Sequence, residues 1–225
     1  MNYNDVCEGV FLRRPNRFIA EVEIDGIIEN CHVKNTGRCK ELLLPGAKVY
    51  LNKSHNPNRT TKYDLTGVWK GERLVNIDSS APNCAFRHYL QTGKYINDII
   101  LIKSEAGYGK SRFDFYVEAA DKILIEVKGV TLEKDGIALF PDAPTERGIK
   151  HLKALAESVD RGYEAHIVFV IQMRGVHHFE PNYNTHPEFG AALIAAQRAG
   201  VKIRAFDCEV TPDSLIIGDS VEVYC

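Results

Sequence analysis

Near residue 80 the chain changes its rhythm, and the change divides it in two. Before that point short segments of strand type are separated by turn signals, with almost no helical periodicity. Residues 17–23 (RFIAEVE) alternate apolar and polar side chains, Asp25-Gly26 is a hairpin signal, and residues 27–33 continue beyond it. Pro45-Gly46 turns the chain into residues 47–51, Asn56-Pro57-Asn58 is a loop, and Lys70-Gly71-Glu72 links residues 63–69 to 74–77. Short strands without helices make a small barrel or sandwich, and an OB-like barrel, which commonly binds nucleic acid, is one such fold.

After Ser79-Ser80-Ala81-Pro82-Asn83, residues 84–95 predict a short helix, followed by strands near 99–103, 111–118 and 122–130. Residues 145–161 carry Ile149, Leu152, Leu155, Ala156 and Val159 at helical spacing, with Gly162 closing the helix. Residues 164–172 read as a fully buried strand, 186–199 as a helix capped by Gly200, and 201–206 as a further strand. That order predicts an α/β fold for residues 81–225, a mixed sheet covered on both sides, behind an OB-like small β-barrel in residues 1–80. No flexible linker separates the two, so they are expected to pack together.

With 225 residues, 44% of them hydrophobic, there is enough apolar material for a core in each part. No apolar run approaches the roughly 20 residues that span a bilayer, and the polar start MNYNDVCEGV lacks the regions of a secretory signal. A cytoplasmic protein is therefore expected. Six cysteines without a C-x-x-C pair predict reduced thiols. The net charge is only −2, yet seven basic residues lie between Asn30 and Tyr63 against the single acid Glu41. Such a segregated basic face suits a polyanion. Arg13, Arg14, Arg17, Lys34, Arg38 and Arg59 are the candidate phosphate contacts.

The chemistry concentrates in FDFYVEAADKILIEVKG, residues 113–129. Strand alternation puts Phe113, Phe115 and Val117 on one face and Arg112, Asp114 and Tyr116 on the other; in the next strand Leu124, Glu126 and Lys128 share a face. Pairing through Ala119-Ala120-Asp121 brings Asp114 near Glu126 and Lys128. Burying two carboxylates together is costly unless a cation joins them. Mg²⁺ takes such oxygen ligands, and a lysine beside it can hold or deprotonate a water and stabilise extra charge on a phosphate. That set fits phosphodiester hydrolysis; an exposed hairpin with ordinary surface charges is the plain alternative. Arg147, Lys150 and His151 near the start of the following helix add a phosphate-attracting end. Gly109-Lys110-Ser111 lacks the first glycine and the helix of a P-loop. His177, His178 and His186 read as surface residues, and Tyr50, Tyr63 and Trp69 as core or base-stacking aromatics.

Asp114 followed by Glu126-Val127-Lys128 resembles the core of the PD-(D/E)XK nuclease superfamily. Asn35-Thr36-Gly37, Asn56-Pro57-Asn58-Arg59, Pro82-Asn83, residues 111–115 (SRFDF), 126–132 (EVKGVTL) and 140–152 (FPDAPTERGIKHL) resemble, more closely, the sugar fermentation stimulation protein A family. The resemblance implies a DNA-binding OB-like barrel joined to a PD-(D/E)XK nuclease-like domain, hydrolysing DNA or RNA with Mg²⁺ or Mn²⁺. It implies Asp114 and Glu126 as metal ligands, helped by the Val127 carbonyl, and Lys128 as the catalytic lysine. Glu105 is added as an outer acid for the metal and Gln172 as an active-site neighbour. Asn35, Arg147 and His151 join the nucleic-acid contacts. The family name also implies the rival function, a non-cleaving DNA-binding regulator of sugar (maltose) metabolism. Three departures stand out: Phe113 precedes Asp114 where the superfamily has proline, Pro141-Asp142 follows the Glu-x-Lys pair instead of preceding it, and Arg87-His88 replaces an expected acid.

Overall fold

The structure, a computed structural model, describes residues 1–225 apart from Thr36 and Lys110. Thr36 of the Asn-Thr-Gly block and Lys110 of the P-loop-like run therefore lie outside the described residues.

Alternation builds the first part. In β2 (Ile19–Ile24) Ala20, Val22 and Ile24 point inward while Glu23 is exposed. Asp25 and Gly26, with φ of 51° and 79°, make the two-residue turn into β3 (Ile27–Val33), the left-handed pair that an Asp-Gly hairpin requires. With β1 (Val6–Asn16), β4 (Lys48–Lys53), β5 (Tyr63–Lys70) and β6 (Arg73–Asn76) they form a sheet in the order β3-β2-β1-β4-β5-β6. Parallel pairing of β3 with β5, from Cys31↔Tyr63 to Val33↔Leu65, joins β3 back to β5, closing five strands into a barrel that β6 extends. Phe11, Val22, Leu51 and Leu65 fill its interior. Tyr50 is buried and Tyr63 and Trp69 are half-buried, so none of the three is an open stacking platform.

In the second part β7 (Leu101–Tyr108), β8 (Ser111–Glu118) and β9 (Lys122–Val130) make an antiparallel meander. β12 (Glu164–Ile171) lies parallel to β9, β14 (Lys202–Thr211) parallel to β12, and β15 (Ser214–Val221) antiparallel at the end. The helix α1 (Ala81–Gln91) packs Ala85, Phe86 and Leu90 on one face of this sheet, and α2 (Glu146–Val159) and α3 (Pro187–Arg198) cover the other with Leu152, Leu155, Phe189 and Leu193. β9 and β12 are thus enclosed on both faces, which is why their sequences run apolar without alternation. Thr145 caps α2, its hydroxyl accepting the Gly148 N–H at 3.1 Å. A small sheet of β10 (Leu132–Lys134), β11 (Ile137–Phe140) and β13 (His178–Pro181) stands beside them.

The two parts share a core. One apolar cluster contains Phe11, Val22 and Leu51 from the barrel and Phe113, Leu124, Phe169 and Phe189 from the second part. Polar bonds stitch the same seam: Asn76 donates its backbone N–H to the Gln172 carbonyl at 2.9 Å and accepts the Gln172 Nε2–H at 2.9 Å through Oδ1. Lys70 and Arg73 meet Glu133 at 2.6 and 3.0 Å. Among the described residues no helix is long and apolar enough to cross a membrane.

Candidate metal centre

β8 and β9 pair from Glu118↔Lys122 to Phe115↔Ile125, where the ladder stops. One step further in the same register Asp114 faces Glu126, and the Asp114 side chain continues what the backbone abandons. Its Oδ2 accepts the Val127 N–H at 2.7 Å and its Oδ1 accepts Nδ2–H of Asn83, on α1, at 2.8 Å. The N–H and C=O of one strand residue point to the same side, so the Val127 carbonyl faces this fork as well.

The expected alternation in β8 breaks at this point. Phe115 and Val117 pack toward α1, but Phe113 joins the opposite cluster, its ring centroid 6.1 Å from that of His151 on α2. The rotation occurs beside Glu105, which lies across from Asp114 with a φ of 53°. That left-handed backbone also redirects Glu105: its carboxylate is exposed and pairs with Arg112 Nε at 3.0 Å, outside the fork.

Glu126 is only 3% exposed. Its Oε1 accepts from Lys128 Nζ at 2.5 Å and from His151 Nδ1, while Arg147 Nε–H donates to the other ring nitrogen of His151 at 3.5 Å. Its Oε2 is enclosed and has no hydrogen-bond partner among the described residues. A buried polar atom left unmatched costs roughly 1–3 kcal/mol, and more when charged.

Burial alone pushes the Glu126 carboxyl up, but the His151 hydrogen bond and the Lys128 charge outweigh it and hold the group below its ordinary range. Asp114 goes the other way: burial first, then the Glu126 charge, raise it, and its bonds from Val127 N–H and Asn83 only partly offset them. An ionised, unmatched oxygen, a second carboxylate that resists ionising beside it, and a backbone carbonyl are hard donors of the kind Mg²⁺ or Mn²⁺ takes. The residues fit such an ion. No group of three His, Cys, Asp or Glu side chains forms a ready cage among the described residues.

A carboxyl raised in the folded state binds more protons there than in the unfolded chain, so its contribution weakens the fold as pH climbs through that interval. Asp114→Asn is therefore expected to melt higher than the wild type in EDTA at pH 7. The gap should close as pH falls toward the ordinary carboxyl range, and thermal melts across pH will check it.

The remaining expected residues are spread more widely. Gln172, 1% exposed, turns its Nε2 to Asn76 and to the Asp78 carbonyl at 3.0 Å, making it a tie at the seam with no bond to Asp114, Glu126 or Lys128. His151 is buried against Glu126, so it orients a carboxylate where an open phosphate contact was expected. Arg147 remains exposed beside it. Arg14 spends its guanidinium on the carbonyls of Arg17, Asn35, Gly37 and Arg38 and so shapes the loop instead of offering a free charge. Arg59 forks onto Asp64 at 2.5 and 3.0 Å, Lys34 pairs with Asp78 at 3.0 Å, and Arg13 pairs with Glu21 at 2.6 Å while staying exposed. Asn35 bonds the Ile77 carbonyl and the Gly37 N–H. Arg17, Arg38 and Lys40 are exposed and line a groove of about 410 Å³ on the barrel. Asn83 is the partner that the sequence left without a role; it belongs to the Pro82-Asn83 block, just ahead of the helix expected over 84–95, and the structure starts that helix at Ala81 and so puts Asn83 in its first turn.

Comparison with known proteins places this arrangement. The family description "SfsA N-terminal OB domain" matches residues 12–77, and "Sugar fermentation stimulation protein RE domain" matches residues 80–214. A sugar fermentation stimulation protein homolog of Desulfitobacterium hafniense (strain DSM 10664 / DCB-2) is 58% identical over 224 residues, 99% of this chain and 98% of the relative. One from Clostridium beijerinckii is 56% identical, with 99% of each covered. The structure of Pyrococcus furiosus SfsA in complex with Ca²⁺ superposes with a TM-score of 0.91 at 30% identity, covering 100% of this chain and 98% of that one. Matched along both parts and over nearly its whole length, the chain belongs to the sugar fermentation stimulation protein family.

Proposed function

We propose that the protein is a divalent-metal-dependent nuclease that hydrolyses phosphodiester bonds in DNA or RNA held by its OB barrel. The observation that carries this reading is the Glu126 Oε2 atom, enclosed and without a hydrogen-bond partner among the described residues, in a fork that also holds Asp114. A Ca²⁺ complex of a relative with the same fold supports a hard divalent cation as the missing partner. Asp114, Glu126 and the Val127 carbonyl would hold the ion. When bound, it supplies charge neutralisation at the scissile phosphate and makes hydroxide accessible near neutral pH.

The chain's own groups do the rest. Asn83 and the Val127 N–H fix the Asp114 carboxylate, and His151 and Lys128 fix one oxygen of Glu126 so that the other keeps its aim. Lys128 keeps 18% of its side chain exposed against 3% for Glu126, so its charge reaches the open side of the fork. Released from Glu126, its ammonium can donate to a phosphate oxygen, and only after giving up a proton can the neutral Nζ take one from the attacking water. Arg17, Arg38 and Lys40 give the barrel free cations for the backbone of the polymer, a contact that weakens as salt rises. Six free thiols, with Cys31, Cys39 and Cys208 buried, match the reducing cytoplasm in which we place the protein.

Incubating purified protein with labelled DNA and RNA in Mg²⁺, Mn²⁺ or EDTA tests the reading. Cleavage is expected with either metal, none in EDTA, and a loss of about 10²-fold or more in Lys128→Ala. Binding without cutting under every condition would hand the protein to the regulator reading, and cutting that ignores Lys128→Ala would move the site elsewhere.

A further inference from the structure

Where the barrel meets the mixed sheet, a pocket of about 160 Å³ opens between the two parts. Asn35 and Ser79 line its barrel side; Gly129, Phe140, Asp142 and Gln172 line the other. Gly129 directly follows Lys128, so one wall of the pocket begins about 3.8 Å along the chain from the catalytic lysine. Nothing in the metal centre uses this space.

Its polar groups present acceptors. Gln172 donates both Nε2 hydrogens, to Asn76 Oδ1 at 2.9 Å and to the Asp78 backbone carbonyl at 3.0 Å. A backbone carbonyl only accepts, so the orientation of the amide is set and Oε1 is turned the opposite way, toward Gly129. No donor among the described residues bonds that oxygen. A Cβ at residue 129 would stand 2.6 Å from Gln172 Oε1 and 2.8 Å from Pro82 Cγ, so glycine is what keeps the acceptor uncovered. Asp142 adds a carboxylate, with Oδ2 taking the Arg38 N–H at 3.1 Å and Oδ1 without a hydrogen-bond partner among the described residues. The half-buried Phe140 provides an aromatic wall.

We propose that this pocket seats one unstacked nucleobase of the substrate strand beside the phosphate at the Asp114–Glu126 fork, and that it favours bases with an exocyclic amine, cytosine or adenine, over thymine or uracil. The inference rests on the nuclease reading and names its substrate: a strand that is single, or locally opened, at the cut. Size supports one flat base and no second nucleotide, since a cavity of about 150 Å³ takes an aromatic guest of benzene size with little room to spare. Chemistry selects the amine, because Gln and Asp oxygens accept from cytosine N4 or adenine N6 whereas thymine offers a carbonyl at that position. A base in this pocket is out of its stack, a cost that is smallest in single strands.

Binding measured in EDTA tests the pocket without cleavage. Single-stranded oligonucleotides carrying 2-aminopurine at successive positions are titrated with the wild type and with Ser79→Trp, an exposed position at the pocket's mouth. Fluorescence is expected to change at one position in the wild type and at none in the variant. Replacing the base there by an abasic site, or cytosine by thymine, should weaken wild-type binding about tenfold and leave Ser79→Trp unaffected. The abasic comparison alters only the ligand, so it stands even if the variant folds poorly. No responsive position, or an abasic penalty equal in both proteins, overturns the proposal. A protein that cuts normally without a responsive position refutes the pocket alone; a base-selective protein that never cuts refutes the nuclease reading alone.

Discussion

Glu126→Gln is expected to lower metal-dependent cleavage by about 10²–10³-fold or more, the loss that follows removal of one preorganised charge-stabilising group. The amide keeps an oxygen for Lys128 and His151 but sets an NH₂ where the unmatched Oε2 stands, so the fork loses its strongest anion and gains a donor that repels a cation. Nucleic-acid binding should persist in this variant, because the exposed cations of the barrel lie on other elements. Mn²⁺ titration followed by calorimetry gives the separate readout: the wild type binds, and the variant does not. Normal cleavage by Glu126→Gln would remove the carboxylate fork from the chemistry.

Asn76→Leu, which keeps the branched shape of the side chain and removes its polar atoms, is expected to be a damaging change at the seam. Asn76 is 2% exposed; its Oδ1 accepts from Gln172 Nε2 and from the Asp78 N–H at 3.1 Å, and its Nδ2 donates to the Tyr3 hydroxyl at 2.9 Å. Leucine removes all three bonds at once and orphans the Asp78 N–H, while Gln172 keeps its bond to the Asp78 carbonyl and the Tyr3 hydroxyl its bond to Asp78 Oδ2. Leaving buried polar groups unmatched makes a loss of roughly 3 kcal/mol a fair expectation, which lowers Tm by roughly 6–12 °C in a chain of this size. Differential scanning calorimetry will read it directly. A shift below about 2 °C would mean that water replaces the lost partners, since two or three hydrogen bonds can be recovered that way.

Much of this was legible before any coordinates. The Asp-Gly turn, the buried run of β12, the periodic face of α2 and the Asp114–Glu126–Lys128 set all follow from local pattern, because each is decided by neighbours in sequence. β1 was not legible: two register shifts, between Phe11 and Arg13 and between Arg13 and Asn16, break its alternation, and only the barrel's curvature explains them. The small sheet of β10, β11 and β13 was hidden for another reason, since its three- and four-residue strands are too short to show a period. Charge was the least readable property. Arg14, Arg59 and Lys34 look like phosphate contacts in a list of basic residues, yet each is committed to a carbonyl or carboxylate that lies far away in the chain or across a turn. His151 shows the same limit, because a periodic pattern says which face a residue occupies but not that a buried acid waits there.

The apolar cluster common to barrel and sheet has a consequence for how such proteins diversify. A module that keeps its interior to itself can be traded between genes, but here the wall of one part is the floor of the other. Cutting between them would divide that cluster and leave Asn76 without Gln172, and Lys70 and Arg73 without Glu133. The two parts are therefore expected to be inherited together, leaving loops and grooves to vary instead of whole domains to swap.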